Sequence, residues 1–328
     1  MTDPEVIVVG AGVAGLSCAT ELALVGRKVQ VWTDALPEHT TSRAAAAFWY
    51  PYRVDPVDRV IPWSQVSYER FGALAADAVL SRASGVIMRE AWELFPEPVP
   101  APPWSRFVDL FRELWPEELP EGYGHGVVFE APVIEMPRYL PWMVAELGRM
   151  SVELVRRRLD SLDEALAAAP VVVNTTGLGA RELVGDARLF GVRGQVLRRA
   201  RGELDRVYID EHGPHGITYI VPRSEDVILG GVADDDVEHT RVDEGQSEAI
   251  LDRCARIEPT LRETQALGVN VGVRPCRDAV RLDQEEIGEG EQARLVVHDY
   301  GHGGAGVTLS WGCAAEVRDR VEAWLEAR

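Results

Sequence analysis

Lysine is almost missing from this sequence: Lys28 is the single one among 34 basic residues, which face 53 acidic ones. The resulting balance of −19 argues against a nucleic-acid backbone or an anionic membrane surface as partner, because both select basic patches. Cysteine is scarce as well. The four cysteines, Cys18, Cys254, Cys276 and Cys313, form no C-x-x-C pair. A zinc site or a thioredoxin-type motif therefore has no support, and reduced, mostly buried thiols are expected. No apolar run approaches the ~18 residues that a membrane helix needs. No basic segment precedes the strand-like run Val6–Val9, so no signal peptide and a cytoplasmic location are expected. Repeats and low-complexity tracts are also lacking.

What remains is an ordinary globular composition, 46% apolar and 27% charged over 328 residues. At about 150 residues per domain that length suggests two domains. The first fifty residues read as a βαβ unit: Val6–Val9 as a strand buried on both faces, a glycine loop, helix formers from Leu16 to Val25 with Gly26 as the stop, then a strand through Trp32. The Pro- and Trp-rich stretch from Pro51 to Pro132 lacks clear periodicity except for a helix around Ser67–Val79, and reads as a separate domain or long insertion. From Pro137 alternation returns. Arg138–Met150 and Ser161–Ala169 are expected as helices, Val152–Leu159 and Val171–Asn174 as strands. Residues 194–283 resemble a β-meander, interrupted by a helix at Ser247–Ile257, with Val269, Val271 and Val273 alternating along one strand. Arg294–His298 is the last expected strand and Trp311–Glu326 the last helix.

Gly10, Gly12 and Gly15 fit G-x-G-x-x-G between a strand and a helix. The three glycines serve a tight turn, backbone approach to a pyrophosphate, and close helix–strand packing. The helix N-terminus supplies free N–H groups for an anion. Asp34 ends the second strand, where a carboxylate accepts hydrogen bonds from a ribose hydroxyl. The plain alternative is a turn that binds nothing. A second glycine cluster at 301–306, ahead of the last helix, offers another helix N-terminus. Two such termini from opposite chain ends point to FAD lying extended, rather than to a nicotinamide cofactor.

Five segments resemble the D-amino acid oxidase family, which includes D-aspartate oxidases. They are Val6–Ser17, Thr40–Trp49 with Pro51-Tyr52, Gly194-Gln195-Val196 with Tyr219–Pro222, Gly272–Asp283, and His298–Thr308 with Trp311-Gly312-Cys313. Gly272–Asp283 is similar to the family signature G-x-R-P-x-R-x-x-x-R-L. The resemblance implies an α/β fold in which a Rossmann-like FAD-binding domain is interleaved with a mixed-sheet α+β substrate domain. The expected division is 1–54, 137–193 and 284–328 for FAD, and 55–136 and 194–283 for substrate.

It also implies roles. Gly10, Gly12, Val13, Ala14 and Gly15 would form the pyrophosphate loop, and Asp34, Thr40, Thr41 and Ser42 would hold the adenosine and pyrophosphate portion. Ala46 and Ala47 would lie against the flavin, Leu159 beside the adenine. Gly303, Ala305, Gly306, Val307 and Thr308 would hold the flavin ring. Arg281 would grip the substrate carboxylate, Tyr219 would donate to it, and the Gly304 carbonyl would accept from the amine. Phe48 and Tyr50 would line the side-chain pocket. Taken without the resemblance, Arg281 reads as a surface arginine in an ion pair and Tyr219 equally as core packing or as a site residue; Arg274 and Arg277 are expected in internal salt bridges. No second tyrosine precedes Tyr219 in Glu211–Thr218, so an open entrance is expected.

The implied activity is FAD-dependent oxidation of neutral D-amino acids, by hydride transfer to flavin N5, to 2-oxo acids, ammonia and hydrogen peroxide. The partners are the D-amino acid and dioxygen, with no residue acting as acid or base and no metal. A D-aspartate oxidase, a glycine or sarcosine oxidase, a D-amino acid dehydrogenase, a nicotinamide-dependent dehydrogenase and a non-catalytic flavoprotein stay open as alternatives. A homodimer is compatible with the sequence.

Overall fold

Val6–Val9 is buried at all four positions, between two neighbouring strands, in a computed structural model that describes residues 3–213 and 215–328. Among the described residues fourteen strands share one continuous sheet. In chain order they are β1 (Val6–Val9), β2 (Val29–Thr33), β3 (Val86–Phe95), β4 (Arg112–Glu113), β5 (His125–Ile134), β6 (Glu153–Arg156), β7 (Val171–Asn174), β8 (Phe190–Ala200), β9 (Val207–Asp210), β10 (Thr218–Pro222), β11 (Asp226–Gly230), β12 (Asp234–Asp235), β13 (Ala266–Ile287) and β14 (Arg294–His302). The order across the sheet is β4-β5-β3-β9-β10-β11-β8-β13-β14-β7-β1-β2-β6, with β12 beside β8.

The run β14-β7-β1-β2-β6 is parallel throughout. It is the Rossmann-like region, and the remaining strands form the mixed-sheet region, antiparallel except where β3 meets β9. β13 joins the two regions: it pairs with β8 through Cys276, and with β14 at Cys276 and again from Arg281 onward. The expected boundary at 283/284 thus falls inside one strand. Its register shifts between Cys276 and Arg281, so the intervening residues bulge out of the ladder.

The first helix, Val13–Leu24, packs on the C-terminal helix, Gly306–Glu326. Gly26, at φ +86°, ends the first helix in the left-handed conformation that favours glycine. The C-terminal helix starts five residues earlier than its composition suggests. Gly306, Val307 and Thr308 are poor helix formers, but burial of Val307, Thr308 and Leu309 overrides propensity. The helix expected at Ser67–Val79 spans Val57–Ala76 and is followed by Ala78–Ser84.

The Pro- and Trp-rich stretch is no insertion apart from the sheet, since it contributes β3, β4 and β5. Its aromatic residues pack around the fully buried Trp49, with Tyr68, Trp104 and Phe107 at 5.1, 5.8 and 5.8 Å between ring centroids. Aromatic edge-to-face packing has no fixed sequence period, which explains why the stretch reads as irregular. Among the described residues no helix is long and apolar enough to cross a membrane. All four cysteines are free thiols, Cys276 half-buried and the others buried.

Candidate functional site

A cavity of about 670 Å3 follows the carboxyl ends of the parallel strands and continues under the mixed sheet. In open parallel sheets ligands bind at that edge. At one end it is lined by Asp34 after β2, by Arg157, Arg158 and Leu159 after β6, and by Thr175 and Thr176 after β7. At the other it is lined by Tyr219 of β10 and Arg274 of β13.

The glycine loop forms the first part of the wall. Gly10 has φ +117°, and a Cβ there would stand 2.7 Å from Thr175. A Cβ on Gly15 would stand 2.0 Å from the Gly10 carbonyl oxygen, so this glycine serves helix–strand packing and does not face the cavity. Gly12, Val13 and Ala14 do face it. Ser42 Oγ accepts the Val13 N–H at 3.0 Å, which ties segment 40–44 to the loop. A Cβ on Gly12 would meet only Ser42 Oγ, at 3.2 Å. The protein itself therefore leaves an open surface there for a ligand. Thr40, Thr41, Ala46 and Ala47 line the cavity further along.

The second helix N-terminus lies opposite. Gly303, Gly304, Gly306, Val307 and Thr308 reach the cavity, whereas Ala305 is fully buried behind them. Thr308 Oγ1 accepts the Tyr50 N–H at 3.1 Å and donates to the Tyr50 carbonyl at 2.9 Å. Its hydroxyl is thus spent on the chain, and its backbone N–H is what it can offer a ligand. An extended cavity with free helix N-termini on two sides and no Cβ at Gly12 suits a dinucleotide such as FAD.

Beyond these termini the walls are aromatic. Phe48, Tyr50, Tyr52 and Tyr219 line the space, with Phe48 5.9 Å from Tyr50 and 6.3 Å from Tyr219 between centroids. Tyr219 fits because Gly230 opposes it in register; a Cβ on Gly230 would stand 2.0 Å from the ring. Burial raises the pKa of the Tyr219 hydroxyl, and the neighbouring Arg274 guanidinium opposes the rise. A neutral hydroxyl is thus held as a donor at neutral pH. Arg274 Nη1 donates to the Val232 carbonyl at 3.0 Å, and the guanidinium occupies space that a Cβ on Gly194 would take, 2.7 Å from Nη2. Two features therefore fix the plane of the fork: a backbone acceptor and a glycine.

Arg281 is not at this site. Its Nη1 donates to the Tyr300 hydroxyl at 2.7 Å and its Nε to Asp283 at 3.0 Å. Tyr300 in turn donates to Asp186 at 3.0 Å, which also accepts from Arg277 at 3.0 Å. Arg281 belongs to a polar network that braces the bulge in β13. Arg277 is in an internal salt bridge, as expected, but among the described residues Arg274 is in none: it is the arginine of this strand that lines the cavity. The alternation of Val269, Val271 and Val273 held the signal. Asn270, Gly272 and Arg274 occupy the opposite face of the strand, and all three line the cavity. Arg281→Ala is expected to cost about 1.5–3 kcal/mol of stability, the range for hydrogen bonds to a charged group. A thermal melt should show the loss while kcat/KM stays within about threefold.

Glu211, Tyr52, Asn270 and His302 also line the cavity, and sequence reading assigned none of them to substrate or cofactor. His302 Nε2 pairs with Asp299 Oδ1 at 3.0 Å, and Cys18 Sγ donates to Asp299 Oδ2 at 3.4 Å. Asp299, His302 and Cys313 bring oxygen, nitrogen and sulfur within 4.8 Å of one another, all buried. The turn expected to carry no lid tyrosine is short. Asp210 Oδ1 accepts the N–H groups of His212 and Gly213 there, and Pro214 lies outside the described residues.

Comparison with known proteins agrees with this architecture. A D-amino-acid oxidase of Rubrobacter xylanophilus is 47% identical over 311 residues, 94% of this chain and 93% of that protein. One of Streptomyces coelicolor is 38% identical over 317 residues, 96% and 95% of the two chains. Glycine oxidase from Geobacillus kaustophilus shares the fold, with a TM-score of 0.80 at 20% identity over 98% of this chain and 95% of that one. The family model DAO, FAD dependent oxidoreductase, matches residues 5–320, and the chain belongs to that family of FAD-dependent oxidoreductases.

Proposed function

We propose that the chain is an oxidase of D-amino acids with neutral side chains, forming 2-oxo acids, ammonia and hydrogen peroxide. The observation that carries this reading is the pairing of Arg274 and Tyr219 in the same cavity as the two helix N-termini. FAD, when bound, would supply the hydride acceptor for the substrate α-carbon and the route of the electrons to dioxygen. The loop Gly10–Ala14 with Ser42, Asp34 and Leu159 is suited to the adenosine and pyrophosphate end, and Ala46, Ala47 and the backbone of residues 303–308 to the flavin end.

The substrate is held by this chain's residues. The Arg274 fork makes paired, charge-assisted contacts with the carboxylate. The Tyr219 hydroxyl donates to the same group, and the Gly304 carbonyl accepts from the amine. Phe48, Tyr50 and Tyr52 confine the side chain. With carboxylate, amine and side chain each given one direction, only one hand of the α-carbon turns its hydrogen toward the 303–308 loop. Orientation of this kind supplies much of the rate. The acidic surface and the absence of long apolar helices fit a cytoplasmic enzyme that binds neither nucleic acid nor membrane, as a monomer or a homodimer.

A panel of D- and L-amino acids with a peroxide readout tests the reading. D-Methionine, D-valine and D-phenylalanine should be turned over, and their L-enantiomers should not. D-Aspartate would bring a second carboxylate toward the side-chain walls, where Glu211 already stands. Those walls are aromatic and acidic and, among the described residues, offer that carboxylate no cation, and burying an unpaired charge costs several kcal/mol, so kcat/KM for D-aspartate should be lower by roughly 100-fold or more. A panel in which D-aspartate ranks first favours the D-aspartate oxidase reading instead.

A further inference from the structure

Two acids stand at or behind the side-chain end of the cavity, and neither has a part in holding a neutral substrate. Glu211 follows β9 and lines the cavity with Tyr50, Tyr52 and Tyr219. Glu93 lies behind it on β3, in register with Ile209 of β9, and is only 3% exposed. One Glu93 carboxyl oxygen accepts the Tyr50 hydroxyl at 2.5 Å. The other is buried with no hydrogen-bond partner among the described residues. A buried polar atom left unpaired is costly, and native proteins keep few of them.

Burial pushes Glu211 up to about 8, and the nearby Glu93 adds to the rise. Burial likewise pushes Glu93 up to about 7, against the pull of the Tyr50 hydroxyl. Arg53, exposed and 5.3 Å from the Tyr52 ring centroid, opposes the rise at Glu211. Arg274 stands among the same aromatic rings but is anchored to the Val232 carbonyl. Glu211, Glu93 and the adjoining Asp210, which also raises Glu211, thus share the region with one exposed cation. An incoming positive group would favour the ionised form of the Glu211 carboxyl and supply the partner it lacks among the described residues. Its methylene stem would lie along Phe48 and Tyr52, whose ring faces also attract cations.

We propose that Glu211, backed by Glu93, is a receptor for a cationic substrate tip, so that the enzyme prefers D-amino acids ending in an ammonium or guanidinium group over neutral ones of the same shape. The proposal rests on the D-amino acid reading and extends it from neutral to basic side chains. It makes Glu211 a determinant of specificity that has no part in the chemical step.

D-Lysine and D-norleucine have the same chain length and differ in the terminal ammonium, so the ratio of their kcat/KM values isolates the tip. In the wild-type holoenzyme the ratio should exceed about 10, and in Glu211→Gln, which keeps the shape, it should fall roughly 10- to 100-fold. Glu93→Gln should lower it by a smaller factor. A wild-type ratio below one, with D-norleucine turned over, overturns the receptor and leaves the D-amino acid reading standing; that comparison needs no variant. A ratio in Glu211→Gln within about twofold of wild type also overturns it. Peroxide from no D-amino acid at all overturns both.

Discussion

Arg274→Ala is expected to lower kcat/KM for D-amino acids by roughly 30- to 5,000-fold while the protein stays yellow. Truncating one partner of a desolvated, hydrogen-bonded charge pair costs about 2–5 kcal/mol, and each 1.36 kcal/mol is about a decade. The loss belongs to the substrate, because the guanidinium lies against Tyr219 and Gly194, neither of which is in the Gly10–Ala14 loop or the 303–308 segment. Arg274→Lys keeps the charge but loses the planar fork, so part of the activity should return, with KM still raised. Simple carboxylates such as benzoate should bind both variants more weakly. Paired with Arg281→Ala, the experiment separates two arginines of one strand: activity falls with the first and stability with the second. An Arg274→Ala enzyme within about threefold of wild type in kcat/KM, far inside the expected loss, would remove the carboxylate anchor.

Gly12→Val is the second large effect. Its Cβ meets only Ser42 Oγ within the protein, at 3.2 Å, so the chain without flavin has room to fold. The added methyl groups stand where the backbone must approach a pyrophosphate. Overpacking of this kind costs about 1–3 kcal/mol, and thus roughly 5- to 200-fold in flavin affinity. The purified protein should be pale or colourless, with its visible flavin absorbance restored only at high added FAD. Gly15→Ala is the poorer probe: a Cβ 2.0 Å from the Gly10 carbonyl oxygen disturbs the fold before any ligand arrives. Gly26→Ala serves as the control. Gly26 has φ +86° and open space around it, so a cost of about 1 kcal/mol in stability with normal flavin content is expected. Gly12→Val protein with full flavin would mean that the pyrophosphate does not pass this loop.

The sequence by itself determined the parts whose physics is local. The buried valines of β1 and β7, the glycine loop before the first helix and the acid after β2 sit within about thirty residues of one another or form unbroken apolar runs. Their hydrogen bonding and packing follow from neighbours along the chain or from burial on both faces. The glycines before the C-terminal helix were legible in the same way, although the start of that helix was not, because burial rather than propensity set it.

Only the tertiary structure decided which arginine of this motif lines the cavity. Arg274, Arg277 and Arg281 lie on one strand in one motif, and although alternation puts Arg274 on the face opposite the valines, nothing local says what that face meets. The bulge between Cys276 and Arg281 breaks the side-chain alternation, Gly194 on the adjacent strand clears a space for one guanidinium, and Tyr300 and Asp186 draw the others away. The same holds for Glu93 and Glu211. They are far apart in sequence and become neighbours because β3 pairs with β9, and burial then makes an unremarkable pair of surface-type residues into two costly carboxyl groups at the end of a substrate cavity. Strand pairing, register and desolvation are sums over distant residues, and a pattern read along the chain does not contain them.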